Sequence, residues 1–156
     1  MTHYRGSPSG LLEHPLIRRL TAMHLDPNDY VIFGSGPLLA HGLRHSVSDL
    51  DVVARNRGWD RVHDLGHHGR GRYSGHMIVS LWGGRLQFSQ QWIPGARQAD
   101  ELIDDADIFA GLRFARLQDV LAYKMRLRRP KDLLDLPTLL GRLQEEASYG
   151  TYASSQ

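Results

Sequence analysis

The chain contains no cysteine, which removes disulfides, thiolate-held zinc and thiol nucleophiles from consideration. No apolar run approaches the roughly 18 residues that a membrane span requires. The opening MTHYRGSPSG also lacks the apolar centre of a signal peptide, so a cytoplasmic location is the default expectation. No GK[ST] follows a glycine turn, which excludes a Walker-type phosphate loop, and no G-x-S-x-G elbow supports a serine nucleophile. One absence is local. Residues 65–99 hold neither aspartate nor glutamate, while Arg70, Arg72, Arg85 and Arg97 stand there with His67, His68 and His76. Such a stretch is cationic and suited to an anionic ligand.

In bulk the composition is ordinary. Hydrophobic residues make up 41% of the chain and charged residues 23%, the balance of a soluble globular protein. A length of 156 residues suits one domain with a real core. We read a single domain at 11–146 between flexible tails at 1–10 and 147–156. The formal charge of +2 is too small by itself to call for nucleic acid.

Hydrophobic periodicity predicts a helix over residues 11–25, ended by the turn-forming DPND, and a strand at Tyr30–Phe33. A short helix over 37–43 and a strand carrying Asp49 and Asp51 follow. A helix is expected at 57–65, and the glycine-rich GHHGRGRYSG reads as a connection. Strands at 76–81 and 85–90 flank Trp82-Gly83-Gly84 as a hairpin. A helix at 96–106, a strand at 112–115 and two helices at 118–128 and 130–146 complete the order. Pro130 suits the first turn of the last helix. This order predicts a mixed α/β or α+β domain.

The informative stretch is 30–54, YVIFGSGPLLAHGLRHSVSDLDVVA. Aspartates at i and i+2 of a strand share a face, where their like charges call for a cation, a shared proton or full solvation. Three readings of GSG followed by DLD compete. A dinucleotide site needs a third glycine where Leu39 stands. A structural reading makes Gly34 and Gly36 a tight turn, Ser35 a helix cap and the aspartates solvated, although aspartate suits an apolar strand poorly. The third reading makes the turn a phosphate cradle and the aspartates magnesium ligands, since magnesium takes few carboxylates and completes its shell with water and substrate phosphates.

Gly34-Ser35, Arg44 and the D-x-D of Asp49 and Asp51 resemble the signature of the nucleotidyltransferase superfamily related to DNA polymerase beta. VLAYKMRLRRPKDLLDL, residues 120–136, is similar to the helix-plus-RPKD segment of small bacterial nucleotidyltransferases, including the abortive-infection toxin type. The resemblance spans 30–136. It implies a minimal nucleotidyltransferase fold, a short mixed sheet flanked by helices with the C-terminal helices closing the cleft. It further implies Mg2+ or Mn2+ held by Asp49 and Asp51, a nucleoside triphosphate held by Gly34, Ser35, Arg44, Lys124 and Asp132, and transfer of a nucleoside monophosphate to an acceptor hydroxyl. In that pattern Lys124 approaches the phosphates and is catalytic with the two aspartates, while Lys131 and Asp132 support the site. The acceptor, whether small molecule, RNA or protein, is not specified.

One departure stands out. The superfamily usually carries a third carboxylate on a later strand, and the matching position here is Gln87. An amide is neutral and cannot share a cation as a carboxylate does. Two alternatives follow: a repurposed relative that binds a nucleotide or other anion without transferring it, and a toxin-like protein acting on RNA or a protein partner, which the acid-free stretch favours. Asp100, Glu101 and Asp104 are candidates for a substitute ligand. His63, His67 and His68 form a weaker metal candidate, because Gly66 and Gly69 interrupt the helix that would align them. Trp59, Trp82 and Trp92 are expected to pack in the core or at its rim.

Overall fold

The computed structural model describes residues 3–5, 10–72, 75–91 and 97–154. These residues form one mixed sheet with helices on both faces. Its strands are β1 (His3–Arg5), β2 (Tyr30–Phe33), β3 (Leu50–Ala54), β4 (His67–Arg70), β5 (Met77–Leu81), β6 (Leu86–Ser89), β7 (Asp107–Phe109) and β8 (Leu112–Phe114). The spatial order is β1-β7-β8-β2-β3-β6-β5-β4. β2 runs antiparallel to β3 and parallel to β8, and β3 runs parallel to β6. The helices are α1 (Pro15–Thr21), α2 (Gly36–Ala40), α3 (Asn56–Leu65), α4 (Ala99–Asp104), α5 (Leu117–Leu127) and α6 (Pro130–Ser154). The expected mixed α/β class is the architecture observed.

β2 and β3 are central, so apart from Asp51 their residues are apolar on both faces rather than alternating with polar ones. Tyr30 and Ile32 of β2, with Leu50, Val52 and Ala54 of β3, join a core layer beneath α1 and α3 that includes Ile17, Leu20, Trp59 and Val62. Val31, Phe33 and Val53 face the opposite layer, against Leu102 and Ile103 of α4, Val120 and Tyr123 of α5, and Leu139 of α6. By strand alternation Asp51 shares the Val53 face, the one covered by α4, α5 and α6. That choice of face puts its carboxylate toward the C-terminal helices.

Several elements differ from the sequence expectation. α1 begins only at Pro15, where proline fits the first helical position and His14 Nδ1 accepts from the Leu16 amide. α2 starts at Gly36 and stops at Ala40, where the chain turns at His41 and Gly42. α4 covers only Ala99–Asp104, and β7 follows it as a strand the periodicity did not reveal. The expected GHHGRGRYSG connection contains β4, whose four residues are all exposed yet pair with β5. Ladder hydrogen bonds, not side-chain burial, define that strand. His3–Arg5, expected in a flexible tail, lie parallel to β7. α6 continues through Pro137 to Ser154, past the expected end at 146 and into the other expected tail, anchored by fully buried Leu139. Trp59 is a core residue, Trp82 is exposed under the Arg19 guanidinium, and Trp92 lies outside the described residues. Among the described residues no helix is long and apolar enough to cross a membrane.

Candidate functional site

β2 leads into Gly34 and Ser35, and the chain turns so tightly that Gly34 has φ +62°. A Cβ on Gly34 would stand 2.7 Å from Asp51 Oδ2. The turn and the carboxylate are therefore in direct contact, and only glycine permits both the backbone angle and the approach. Ser35 occupies the N-cap position of α2 but makes no side-chain cap bond. Its hydroxyl instead accepts a 3.2 Å hydrogen bond from Lys124 Nζ.

Asp51 lines a cleft of about 320 Å³ on the sheet face beneath α5 and α6. Asp49, which immediately precedes β3 rather than lying in it, lines the same cleft. Asp51 is in register with Gln87 of β6, and Gln87 is in register with Ser80 of β5. These three side chains make the floor of the cleft. Tyr123 and Leu127, one turn apart on α5, form one wall with Arg129 and Lys131. Gly69, Arg70, Gly71 and Arg72 form the other. Part of the acid-free stretch thus borders the carboxylate pair. Arg97 of that stretch does not, because its guanidinium is engaged by Asp105, Asp119 and Glu101.

Burial, and then the charge of Asp49, push the Asp51 carboxyl up to about 6, against the opposing pull of Lys131, Arg129 and Lys124. Burial and the neighbouring Asp49 charge thus disfavour ionised Asp51, and a cation shared by the two carboxylates would offset both effects. Burial, and then Asp51, also push the Tyr123 hydroxyl upward, so it stays protonated at neutral pH.

The C-terminal helices hold a second charged layer. Lys124 is only 2% exposed. Its ammonium lies 3.0 Å from Asp135 Oδ2 and 3.4 Å from Asp132 Oδ1, and it does not line the cleft. Asp132, also fully buried, accepts two hydrogen bonds from the Arg129 guanidinium, at 2.7 and 3.1 Å, and one from the Arg129 backbone N–H at 3.0 Å. That reach back to the backbone N–H of the residue before Pro130 is one half of a capping box, since arginine has no acceptor to complete the other half. Burial alone would raise the Asp132 carboxyl, but the Arg129 hydrogen bonds outweigh it and hold the group below the usual carboxylate range. The Arg129 guanidinium also lies 5.7 Å from the Tyr123 ring centroid.

The sequence candidates therefore divide. Asp49 and Asp51 meet in the cleft, with Gly34 against Asp51. Ser35, Lys124 and Asp132 form a connected layer beside it. Arg44 does not line the cleft; it pairs with Asp135 at 2.9 Å, which joins it to that layer through Lys124, and it borders a second cavity with Glu13, His14 and His45. Asp100 and Asp104 bind Arg55 at 2.8 and 2.9 Å. About 13 Å of strand separates Asp51 from Arg55 at the usual rise per residue, so these acids serve the far end of β3. The His63 and His68 rings lie 4.1 Å apart between centroids and tilted by 41°, with His68 Nε2 on the His63 carbonyl, and α3 ends before His67.

Among the described residues no group of three or more His, Asp or Glu side chains is placed to hold a metal. The pair Asp49 and Asp51 fits only a hard cation that draws its remaining ligands from water and substrate oxygens. No protein-family model matches the chain, and neither curated proteins nor solved structures give a match. The site stands on its own geometry. Sequence reasoning gave no role to Tyr123, Arg129 or Asp135. The spacing of Asp132 and Asp135 on α6, one turn apart opposite Lys124, was the available signal.

Proposed function

We propose that the chain is a metal-dependent nucleotidyltransferase, moving a nucleoside monophosphate from a nucleoside triphosphate to an acceptor hydroxyl. The observation that carries this reading is the carboxylate pair Asp49 and Asp51 in a cleft otherwise bordered by Arg70, Arg72, Arg129 and Lys131. Two acids among four bases suit a triphosphate that brings a divalent cation. Asp49 and Asp51 would hold Mg2+ or Mn2+, which would offset phosphate charge and orient the triphosphate. The acceptor oxygen attacks the α-phosphorus, pyrophosphate leaves, and the hydroxyl proton passes to solvent. The chain contributes by positioning and electrostatics: Gly34 lets Asp51 approach the turn, Tyr123 and Leu127 wall off water, and the basic side chains neutralise charge developing on the leaving group. A cytoplasmic setting belongs to the same proposal.

One observation favours a second reading, in which the cleft binds a nucleotide or another anion without transfer. Gln87 lies beside Asp51 in the sheet, where a third carboxylate would complete a second cation site. A third reading, action on RNA or a protein partner, draws support from Arg70 and Arg72 at the open wall. Incubating the protein with each radiolabelled triphosphate, magnesium, and RNA, protein or small-molecule acceptors separates them. Labelled acceptor and released pyrophosphate support transfer. Saturable binding without pyrophosphate release supports the second reading and sinks the first.

A further inference from the structure

The motif resemblance assigns phosphate contact to Lys124, but that ammonium is already committed. It is 2% exposed, it lies between Asp132 and Asp135, and it donates to Ser35 Oγ. Releasing it toward a ligand would break its ion pairs with two buried carboxylates, leaving Asp132 with Arg129 alone and Asp135 with Arg44 alone, which is costly in a low-dielectric interior. Lys131 is its opposite. It lines the cleft with Asp49 and Asp51, its side chain is exposed, and no described residue forms an ion pair with it.

We infer that Lys131 is the phosphate-contacting cation of the cleft, beside an Arg129 held in place by Asp132, and that Lys124 is a positioning residue. The connections explain how. Lys124 ties the Gly34-Ser35 turn on α2 to Asp132 and Asp135 on α6. Asp132 in turn grips Arg129 through two guanidinium bonds and one backbone bond, so the segment carrying Arg129, Pro130 and Lys131 is held against the cleft. One buried lysine thereby sets the relative position of the turn and the basic wall. Lys131 has four flexible carbons and would reach phosphate oxygens as a point charge, while Arg129 is held by Asp132 with its guanidinium 5.7 Å from the Tyr123 ring centroid. The inference rests on the nucleotide-binding reading of the cleft, but its failure can be told apart from the failure of that reading.

The test is calorimetric titration of the full chain with inorganic tripolyphosphate and with each nucleoside triphosphate, all in magnesium, alongside melting temperature. For Lys131→Ala we expect about tenfold to hundredfold weaker binding, the worth of one charge-assisted contact, with the melting temperature unchanged and a shallower dependence on salt. Lys131→Arg should recover most of the affinity. Lys124→Met should lower the melting temperature sharply and, measured at 10 °C where it is folded, weaken binding through the displaced wall while keeping the wild-type salt dependence, because no phosphate contact is lost; a salt dependence as shallow as that of Lys131→Ala would return the contact to Lys124. Wild-type binding with Lys131→Ala unaffected overturns the inference and leaves the nucleotide reading standing. No wild-type binding to any of these probes overturns both. If Lys124→Met does not fold, the Lys131 variants still decide.

Discussion

Asp51→Asn should stabilise the protein at high pH, and the size of the effect follows from where Asp51 sits. Its carboxyl titrates at about 6, against an ordinary value of 3.8. A difference of that size favours the neutral over the ionised form by about 3 kcal/mol. Solvent in the open cleft screens part of this, leaving about 1–2 kcal/mol. The folded value lies above the unfolded one, so the carboxyl imposes no penalty below about pH 4 and destabilises progressively as pH rises through about 6. Asparagine has a similar shape and no charge. The difference in unfolding free energy between Asp51→Asn and wild type should therefore grow from pH 4 to pH 8 by about 1–2 kcal/mol and then level off. Urea denaturation followed by circular dichroism in EDTA measures it, because the pH-dependent part is separate from any constant cost of burying an amide. Magnesium or manganese at pH 8 should then stabilise the wild type by mass action and leave Asp51→Asn unmoved. A difference that does not change with pH, or an equal metal response in both proteins, would refute the reasoning that Asp51 is a charge held ready for a cation.

Gly34→Ala should cost about 1–3 kcal/mol in urea denaturation, since it places a Cβ against Asp51 in a left-handed backbone conformation; a neutral result would show that the turn and the aspartate separate freely. Asp132→Asn should flatten the acid side of the stability profile. The Asp132 carboxyl is held below its ordinary value, so its contribution is present above about pH 4 and is lost as pH falls through the folded value. Unchanged acid sensitivity in the variant would mean that Arg129 does not grip it. Gln87→Glu should raise affinity for Mg2+ or Mn2+ by about tenfold or more, by adding a third carboxylate in register with Asp51. Metal titration reads the first effect, and pyrophosphate release shows whether transfer activity follows. No change in metal affinity would mean that residue 87 does not face the same cation.

Much of the central fold was legible because it rests on short-range pattern. Tyr30–Phe33 and the run around Leu50 are apolar segments of strand length, and the Trp82-Gly83-Gly84 turn has positive φ at all three residues, as its glycines suggested. The break between α5 and α6 at Arg128 and Pro130 was readable from proline chemistry. β4 was not: His67-His68-Gly69-Arg70 has neither strand propensity nor a buried face, and it is extended only because β5 offers it a ladder. β7 was hidden for a related reason, since three residues are too few to show a period.

The candidate site divides along the same line. Sequence alone determined which residue types were available: a glycine turn before an Asp-x-Asp pair, a glutamine where a third acid would stand, and a lysine ahead of RPKD. It also determined that Asp51 and Val53 share a face, because strand alternation is a property of the backbone. Only the tertiary structure decided which face that was, and which neighbours it met. Register between β3 and β6 set Gln87 beside Asp51, and chain reversal set Asp100 and Asp104 at the opposite end of β3. The packing of α5 on α6 turned Lys124 inward and left Lys131 at the cleft. These placements depend on which distant segments exclude water together, and no local spacing encodes that.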